Sequence, residues 1–147
     1  MIPYEIKKEH FHSEFIDGFK YQLDFLRRYG YSGNKIIGEI FSGVNIFPNG
    51  IGSVGFEIDR GRVTIGPPDK QLYVISDNRN NGLGKKLVEL VLGYISHIEL
   101  AEDIELKIAE LTTGANNEAV KKIVEHFGFT LDREKSCDNF CYYFKEL

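Results

Sequence analysis

The sequence predicts an α+β fold in a single domain that covers residues 1–147. Three observations lead to this prediction. Several stretches alternate apolar and polar residues, which is typical of strands. One strand runs through a glycine-containing loop into a helix with a clear 3.6-residue period. A second helix and two further strands follow, and no internal repeat, linker or low-complexity tract divides the chain.

The N-terminal third is predicted to hold a short strand around Tyr4 and then one amphipathic helix. Ser13 can cap this helix, and apolar side chains recur at helical spacing as far as Leu26. Gly30 and Gly33 are expected to end it.

A β-hairpin is predicted next, with strands at residues 36–47 and 51–58 and a turn at 47–50. A second turn at 59–62 leads into a short strand at 63–65. Residues 66–69 contain glycine and two prolines and break the chain before a buried strand at 71–75.

The strand at 71–75 leads into a helix whose apolar stripe begins at Leu83 and ends at Ile98. A strand over 104–111 follows, and a β-loop-α-β unit of this kind favours parallel pairing of its two strands. Asn116 or Asn117 can cap a second helix that stops at Gly128. Residues 129–131 and 140–144 are predicted to be the last strands.

Composition excludes several functional classes. A net charge of -4 without any block of Lys and Arg argues against a protein that grips nucleic acid through its phosphates. No apolar run approaches the ~18 residues of a membrane span, and the N-terminus does not resemble a signal peptide. Cys137 and Cys141 lack partners at zinc-site spacing, so we expect reduced thiols, no metal and a cytoplasmic location.

The segment Arg79-Asn80-Asn81-Gly82-Leu83-Gly84-Lys85 carries the main functional signal. A helix N-terminus has unpaired N–H groups and a partial positive charge, so it binds a diphosphate well. Glycines let the backbone approach the phosphates, and Arg79 and Lys85 add charge. Two nucleotide motifs do not fit: Arg79 stands where a Walker A loop needs glycine, and Leu87 stands where the dinucleotide fingerprint needs its third glycine.

The loop resembles that of the GNAT superfamily of acyl-CoA N-acyltransferases, which reads Arg/Gln-x-x-Gly-x-Gly/Ala between a strand and a helix. Arg79, Gly82 and Gly84 match it. A second segment, from Asn117 to Glu125-x-x-Gly128-Phe129, is similar to a helix of the ribosomal-protein N-acetyltransferase-like branch. The resemblance covers roughly residues 72–144.

This resemblance implies a mixed sheet of about six to seven strands flanked by helices, with parallel strands 4 and 5 splayed apart at residues 72–75 and 104–111. It implies an N-acetyltransferase that moves an acetyl group from acetyl-CoA to a primary amine of a small molecule or protein. The predicted cofactor-binding residues are Val74, Arg79, Asn80, Asn81, Gly82, Leu83, Gly84, Lys85 and Asn117. The oligomeric state is left open, with a homodimer as one candidate, and no membrane partner is expected.

The candidate catalytic residues are Glu110 and Glu57 as bases and Tyr142 or Tyr143, adjacent on the last strand, as an acid. A lysine-like amine with a pKa of ~10.4 must lose a proton before it attacks the thioester. In many members of the family that this chain resembles, a Tyr of the second helix protonates the departing thiolate. Val124 occupies that position here. A non-catalytic module of the same fold that only binds acyl-CoA is therefore the alternative hypothesis.

Overall fold

The computed structural model describes residues 4–16, 21–30, 33–42, 52–68, 70–74, 82–101 and 103–147. Within these residues the chain forms nine strands and two helices. In chain order they are β1 (Tyr4–Ile16), β2 (Tyr21–Gly30), β3 (Gly33–Ser42), β4 (Gly52–Asp59), β5 (Arg62–Ile65), β6 (Tyr73–Val74), α1 (Leu83–Ala101), β7 (Ile108–Gly114), α2 (Glu118–His126), β8 (Thr130–Asp132) and β9 (Phe140–Glu146).

The predicted N-terminal helix is wrong, because this part of the chain forms β1 and β2. β2 pairs antiparallel with β1 on one edge and with β3 along its whole length on the other. The sequence of β2 also suits a strand, since Tyr21, Leu23 and Phe25 alternate and aromatic residues favour sheets. Pairing along both edges overrides the helical spacing, which begins after Ser13. The α+β class with a mixed sheet is confirmed. Because β1 and β2 join the sheet, it has nine strands among the described residues instead of the expected six to seven.

The central elements follow the predictions more closely. β3 and β4 form the predicted antiparallel hairpin, whose turn at 47–50 lies outside the described residues. The next turn is confirmed at Arg60 (φ 52°) and Gly61 (φ 80°), which connect β4 to β5. The strand predicted at 104–111 starts later, at Ile108, and continues to Gly114.

β4 aligns two short strands along one edge. Its second half pairs with β5 and its first residues, Gly52 and Ser53, pair with β6. Between them, Gly55 N–H donates to Lys70 O at 2.9 Å, and Gly66 N–H donates to Gly55 O at 2.8 Å. β5 and β6 are therefore two parts of one interrupted strand. Glycine is required in β4 at this point because a Cβ on Gly55 would lie 2.3 Å from Lys70 Cβ.

The only parallel pairing among the described strands joins β5 to β7, from Arg62↔Ile108 to Thr64↔Glu110. Beyond that pair, β6 stays with β4, whereas β7 continues along β9 as far as Gly114. We call the position just after the Thr64–Glu110 pair the splay point. The predicted pairing partner therefore needs correcting: the parallel ladder uses Arg62–Ile65, and the segments that separate are β6 and the second half of β7.

The two faces of the sheet differ in character. One face, here called the helix face, carries the buried core, and α1 and α2 pack over it. Its members include Val54, Phe56, Ile65, Leu111 and Tyr143, all at most 3% exposed. The opposite face, here called the polar face, presents the alternate residues of the same strands. Neither helix has the length and apolarity needed to cross a membrane, as far as the described residues go.

Candidate functional site

A cavity of about 530 Å³ lies where the N-terminus of α1 meets α2 and β6. Its walls come from three elements that are distant in sequence. They are Leu72, Tyr73 and Val74 from β6 and the residue before it, Gly82, Leu83, Gly84 and Lys85 from the start of α1, and Asn117, Ala119, Val120 and Ile123 from α2.

A smaller cavity of about 80 Å³ adjoins the first one and lies in the gap between the separated strands. It is lined by Gly66, Gln71 and Leu72 on one side and by residues 111–114 of β7 on the other. Leu72, Asn117 and Val120 line both cavities. A groove thus runs from the N-terminus of α1 toward the splay point.

The start of α1 has the geometry of an anion site. Gly82 adopts a φ of 78°, a conformation that other residues rarely tolerate, and its carbonyl accepts the first helical hydrogen bond, from Lys86 N at 3.0 Å. The N–H groups of the first turn have no helical acceptor, and the helix dipole makes this end positive. Lys85 is exposed beside it, and no acidic residue occupies the first turn.

Gly84 has a different role from Gly82. A Cβ on Gly84 would lie 3.2 Å from Ile123 Cδ1 and 3.8 Å from Leu72 Cδ2, whereas a Cβ on Gly82 would meet nothing within 4 Å. Gly84 therefore lets α1 approach α2 closely. Gly82 provides the backbone turn into the helix.

Asn117 both caps α2 and lines the groove. Its Oδ1 accepts a hydrogen bond from Val120 N at 3.2 Å, which satisfies one of the unpaired N–H groups of the helix. The same residue borders both cavities. The helix ends as predicted at Gly128, which has a φ of 85°, and Phe129 behind it is buried.

The structure brings most of the predicted cofactor-binding residues together. Val74, Gly82, Leu83, Gly84, Lys85 and Asn117 all line the larger cavity. Arg79, Asn80 and Asn81 lie outside the described residues. Sequence reasoning missed the apolar wall formed by Leu72, Val120 and Ile123. The helical period of α2 marked Val120 and Ile123 as core candidates, but it could not show that they border a groove.

Glu57 and Glu110 lie on the polar face at the level of the splay point. Each is a register neighbour of Thr64, so their Cα atoms are about 10 Å apart across two strand spacings. Glu57 Oε1 forms an ion pair with Lys35 Nζ at 2.9 Å, and its side chain is 30% exposed.

Glu110 is bound by two neighbours. Arg62 Nε donates to Glu110 Oε1 at 3.1 Å and Arg62 Nη2 donates to Oε2 at 3.0 Å, a two-pronged arrangement that fits a carboxylate. Tyr142 OH also donates to Glu110 Oε2. The hydrogen bonds from Arg62 hold the pKa of Glu110 below its ordinary value of 4.5, although partial burial acts in the opposite direction.

The two adjacent tyrosines of β9 face opposite sides of the sheet. Burial and the hydrogen bond to Glu110 raise the pKa of Tyr142 to about 12. Tyr143 is in the core, where it donates to Glu125 Oε1 at 3.2 Å. Val124 is fully buried. Arg62 was missed as a site residue because no local pattern links it to Glu110, which lies 48 positions later.

No protein-family model matches the sequence, and no curated protein sequence matches it. Solved structures do match the fold. The Arabidopsis thaliana NAA60 structure in complex with acetyl-CoA aligns with a TM-score of 0.57 and 17% identity, over 76% of this chain and 76% of that one. A Staphylococcus aureus acetyltransferase of the GNAT family aligns with a TM-score of 0.55 and 20% identity, over 77% and 68%.

A third match is the NatC complex bound to Gag peptide and CoA, with a TM-score of 0.55 and 20% identity, over 76% of this chain and 70% of that one. The low sequence identities of these three alignments speak to architecture alone. The chain has the fold of the GNAT acetyltransferases.

Proposed function

We propose that this protein binds acetyl-CoA and transfers its acetyl group to a primary amine. The observation that carries the proposal is the groove that joins the positive N-terminus of α1 to the gap between β6 and β7. A diphosphate suits the first end, and an extended thioester arm suits the second. Two of the matching structures contain acetyl-CoA or CoA, which supports the same assignment.

In this proposal the diphosphate contacts the residues from Arg79 to Lys85, and Asn117 borders the arm. The arm runs past Leu72 and Val74 toward the splay point and pairs with backbone there. A backbone N–H near Val74 would polarise the thioester carbonyl, and one such donor is worth ~3 kcal/mol of transition-state stabilisation. The acetyl group then lies close to the level of Glu57 and Glu110.

The chemistry needs one proton acceptor. The amine nitrogen attacks the thioester carbonyl carbon, the C–S bond breaks, and the amine loses a proton as the amide forms. We propose Glu57, directly or through water, as the group that takes this proton. Glu57 forms an ion pair with Lys35, whereas Glu110, the other candidate base, accepts three hydrogen bonds from Arg62 and Tyr142. The CoA thiolate can leave without an acid, since its conjugate thiol should have a pKa near ~8.5.

Binding is tested by calorimetry and by thermal melting with acetyl-CoA. At 100 times its dissociation constant the ligand should stabilise the fold by ~2.7 kcal/mol. Lys85→Glu reverses an exposed charge beside the proposed diphosphate, so we expect roughly tenfold weaker binding. Lys107→Glu is the control, because Lys107 is exposed and precedes β7 at the end remote from the gap. Equal affinities of the Lys85→Glu and Lys107→Glu variants for acetyl-CoA would show that the N-terminus of α1 does not bind the diphosphate.

Turnover is tested by incubating the protein with acetyl-CoA and a panel of amines and peptides, with mass spectrometry of the products. Amine-dependent release of CoA supports the enzyme. A second candidate function, an acyl-CoA-binding module, is favoured by the buried Val124 at the position of the usual acid. Tight binding without turnover on the whole panel would support that candidate instead.

Three finer predictions come from the sequence. These are membership of the ribosomal-protein N-acetyltransferase-like branch, a cytoplasmic location, and pairing of two copies. The acceptor itself, small molecule or protein, follows from the product identified in the turnover experiment. The peptide in the NatC structure makes peptides a sensible part of the panel.

A further inference from the structure

Three side chains from three adjacent strands meet at the splay point. Arg62 comes from β5, Glu110 from β7 and Tyr142 from β9, and β7 lies between the other two strands. Glu110 is the centre of the group, since it accepts from both partners. Lys135 adds a further contact, with its Nζ 4.9 Å from the Tyr142 ring centre.

The cluster connects two strands, β5 and β7, that share only a short ladder. The parallel ladder consists of three residue pairs, and it ends at Thr64↔Glu110. Immediately beyond it the strands separate around the smaller cavity. A short parallel ladder is weakly held by its own hydrogen bonds. A charged bidentate contact that runs from Arg62, in its first pair, to Glu110, in its last pair, therefore adds both energy and a fixed geometry.

The hydrogen-bonding pattern also argues against acid–base work by these residues. Glu110 Oε2 accepts from two donors and Oε1 accepts from a third. Tyr142 donates its hydroxyl proton to Glu110. Removing a proton from an amine with Glu110, or giving one from Tyr142, would first require breaking these contacts.

We propose that Arg62, Glu110 and Tyr142 form a cross-strand clamp that fixes the splay point and thereby positions the arm of acetyl-CoA, and that none of the three is the catalytic base or acid. This inference rests on the proposed function for its ligand. The three are positioning residues. The lowered pKa of Glu110 and the raised pKa of Tyr142, both of which keep the cluster in one protonation state near neutral pH, agree with this role.

The first test compares two ligands by calorimetry. Acetyl-CoA contains the arm that lies in the gap, whereas ADP contains a diphosphate but no arm. Arg62→Met and Glu110→Gln should each weaken acetyl-CoA binding, by roughly tenfold, and leave ADP binding unchanged. The double variant should be no weaker than either single one, because both substitutions break the same unit.

Conservative variants and a matched control sharpen the test. Arg62→Lys should behave like Arg62→Met, since an ammonium group cannot bind a carboxylate through two parallel donors. Tyr142→Phe removes one hydrogen bond and should have a smaller effect in a fully folded protein. Arg60→Met is the control, because it breaks the Arg60–Asp59 ion pair of 3.8 Å at the β4–β5 turn, at the end of the ladder remote from the splay point. We expect its acetyl-CoA affinity to equal that of the wild type.

The possible outcomes distinguish the clamp from the proposed function on which it rests. Unchanged acetyl-CoA binding by the folded Arg62→Lys and Tyr142→Phe proteins would overturn the clamp, as would an equal loss for ADP. Failure of the wild type to bind acetyl-CoA would contradict the proposed function itself. In the active enzyme, the acidic limb of the kcat/KM profile should persist in Glu110→Gln. Its disappearance would show that Glu110 is the base.

Discussion

Gly84 of α1 lies against Ile123 of α2, so closely that a single added methyl group would be 3.2 Å from Ile123 Cδ1. The contact forms one wall of the larger cavity, which both residues line. The glycine that the sequence suggests for phosphate binding is thus also a helix-packing residue. Charge-bearing substitutions at Gly84 would disturb the fold as well as the ligand, which makes Lys85 the better position for testing binding.

Gly84→Ala should destabilise the protein modestly, by about 1 kcal/mol, because overpacking shifts α2. Ile123→Val removes the very methyl group that the new Cβ would approach. The double variant should therefore be more stable than the sum of the two single changes predicts, by roughly 0.5 kcal/mol or more. Urea unfolding at neutral pH measures all four proteins. Additive effects would mean that the helices are not in tight contact at this point.

Gly82→Ala should also destabilise, by about 1 kcal/mol, but for a backbone reason. Its φ of 78° is unfavourable for alanine although nothing lies within 4 Å of the new Cβ. Gly93→Ala provides the matched control in the middle of α1, where the Cβ also meets nothing. That change should stabilise by up to ~1 kcal/mol, since alanine is the better helix former. Thermal melting of both variants gives opposite signs if the backbone at Gly82 is as described.

The sequence predicted elements well where local signals and tertiary partners agree. The stripe of α1, the cap at Asn117 and the stop at Gly128 depend on neighbours within a few residues, and all three are confirmed. The helix predicted after Ser13 failed because its second half, from Tyr21 onward, pairs with strands on both sides. Such partners are set by distant parts of the chain, in this case β3.

In the candidate site too, local sequence signals predicted some features, whereas others depend on distant strand partners. Gly82 and Lys85 could be assigned to one loop because they lie only three positions apart in the sequence. The bond between Arg62 and Glu110 could not be predicted, because it depends on which strand lies beside β7. Periodicity fixes the face on which a residue lies, but not its neighbour across the sheet.

Stability should depend on pH through Glu110. The Arg62 hydrogen bonds lower the pKa of Glu110 in the folded state, so the pair contributes fully above its ordinary pKa of 4.5. The contribution is lost as the pH falls through the lowered value. The stability advantage of the wild type over Arg62→Met should therefore be full at pH 7 and shrink as the pH falls below 4.5.

Urea unfolding across that pH range measures the effect. In a Glu110→Gln background the acid-dependent part should vanish, because the titrating group is gone. A constant difference between wild type and Arg62→Met at every pH would contradict the assigned ion pair.

Asn117 permits a test of ligand charge at constant capping. Asp and Ser cap helices about as well as Asn, so both variants should melt close to the wild type. Asn117→Asp adds a negative charge to the groove, and we expect it to bind acetyl-CoA roughly fivefold more weakly than Asn117→Ser. Calorimetry compares the two. Equal affinities would place the anionic part of the ligand elsewhere.

Val124→Tyr should not restore an acid. Val124 is fully buried, so the larger side chain overpacks the core and costs about 1–3 kcal/mol or more. Val124→Ile adds a single methylene and should cost less. Melting temperatures should therefore rank wild type, Ile and Tyr in descending order, and turnover should not rise in the Tyr protein. A stable Tyr variant with faster CoA release would mean that the position opens onto the groove.

The interruption between β5 and β6 has a consequence for how this surface can change. β4 bonds independently to Gly66 and β5 on one side of the interruption and to Lys70 and β6 on the other. The length of the connection between Gly66 and Lys70 therefore does not determine the register on either side. Insertions there would alter the rim of the groove near the splay point while the helix terminus stays fixed. Under the proposed function, selectivity for the acceptor can thus diverge in this connection without redesign of the diphosphate end.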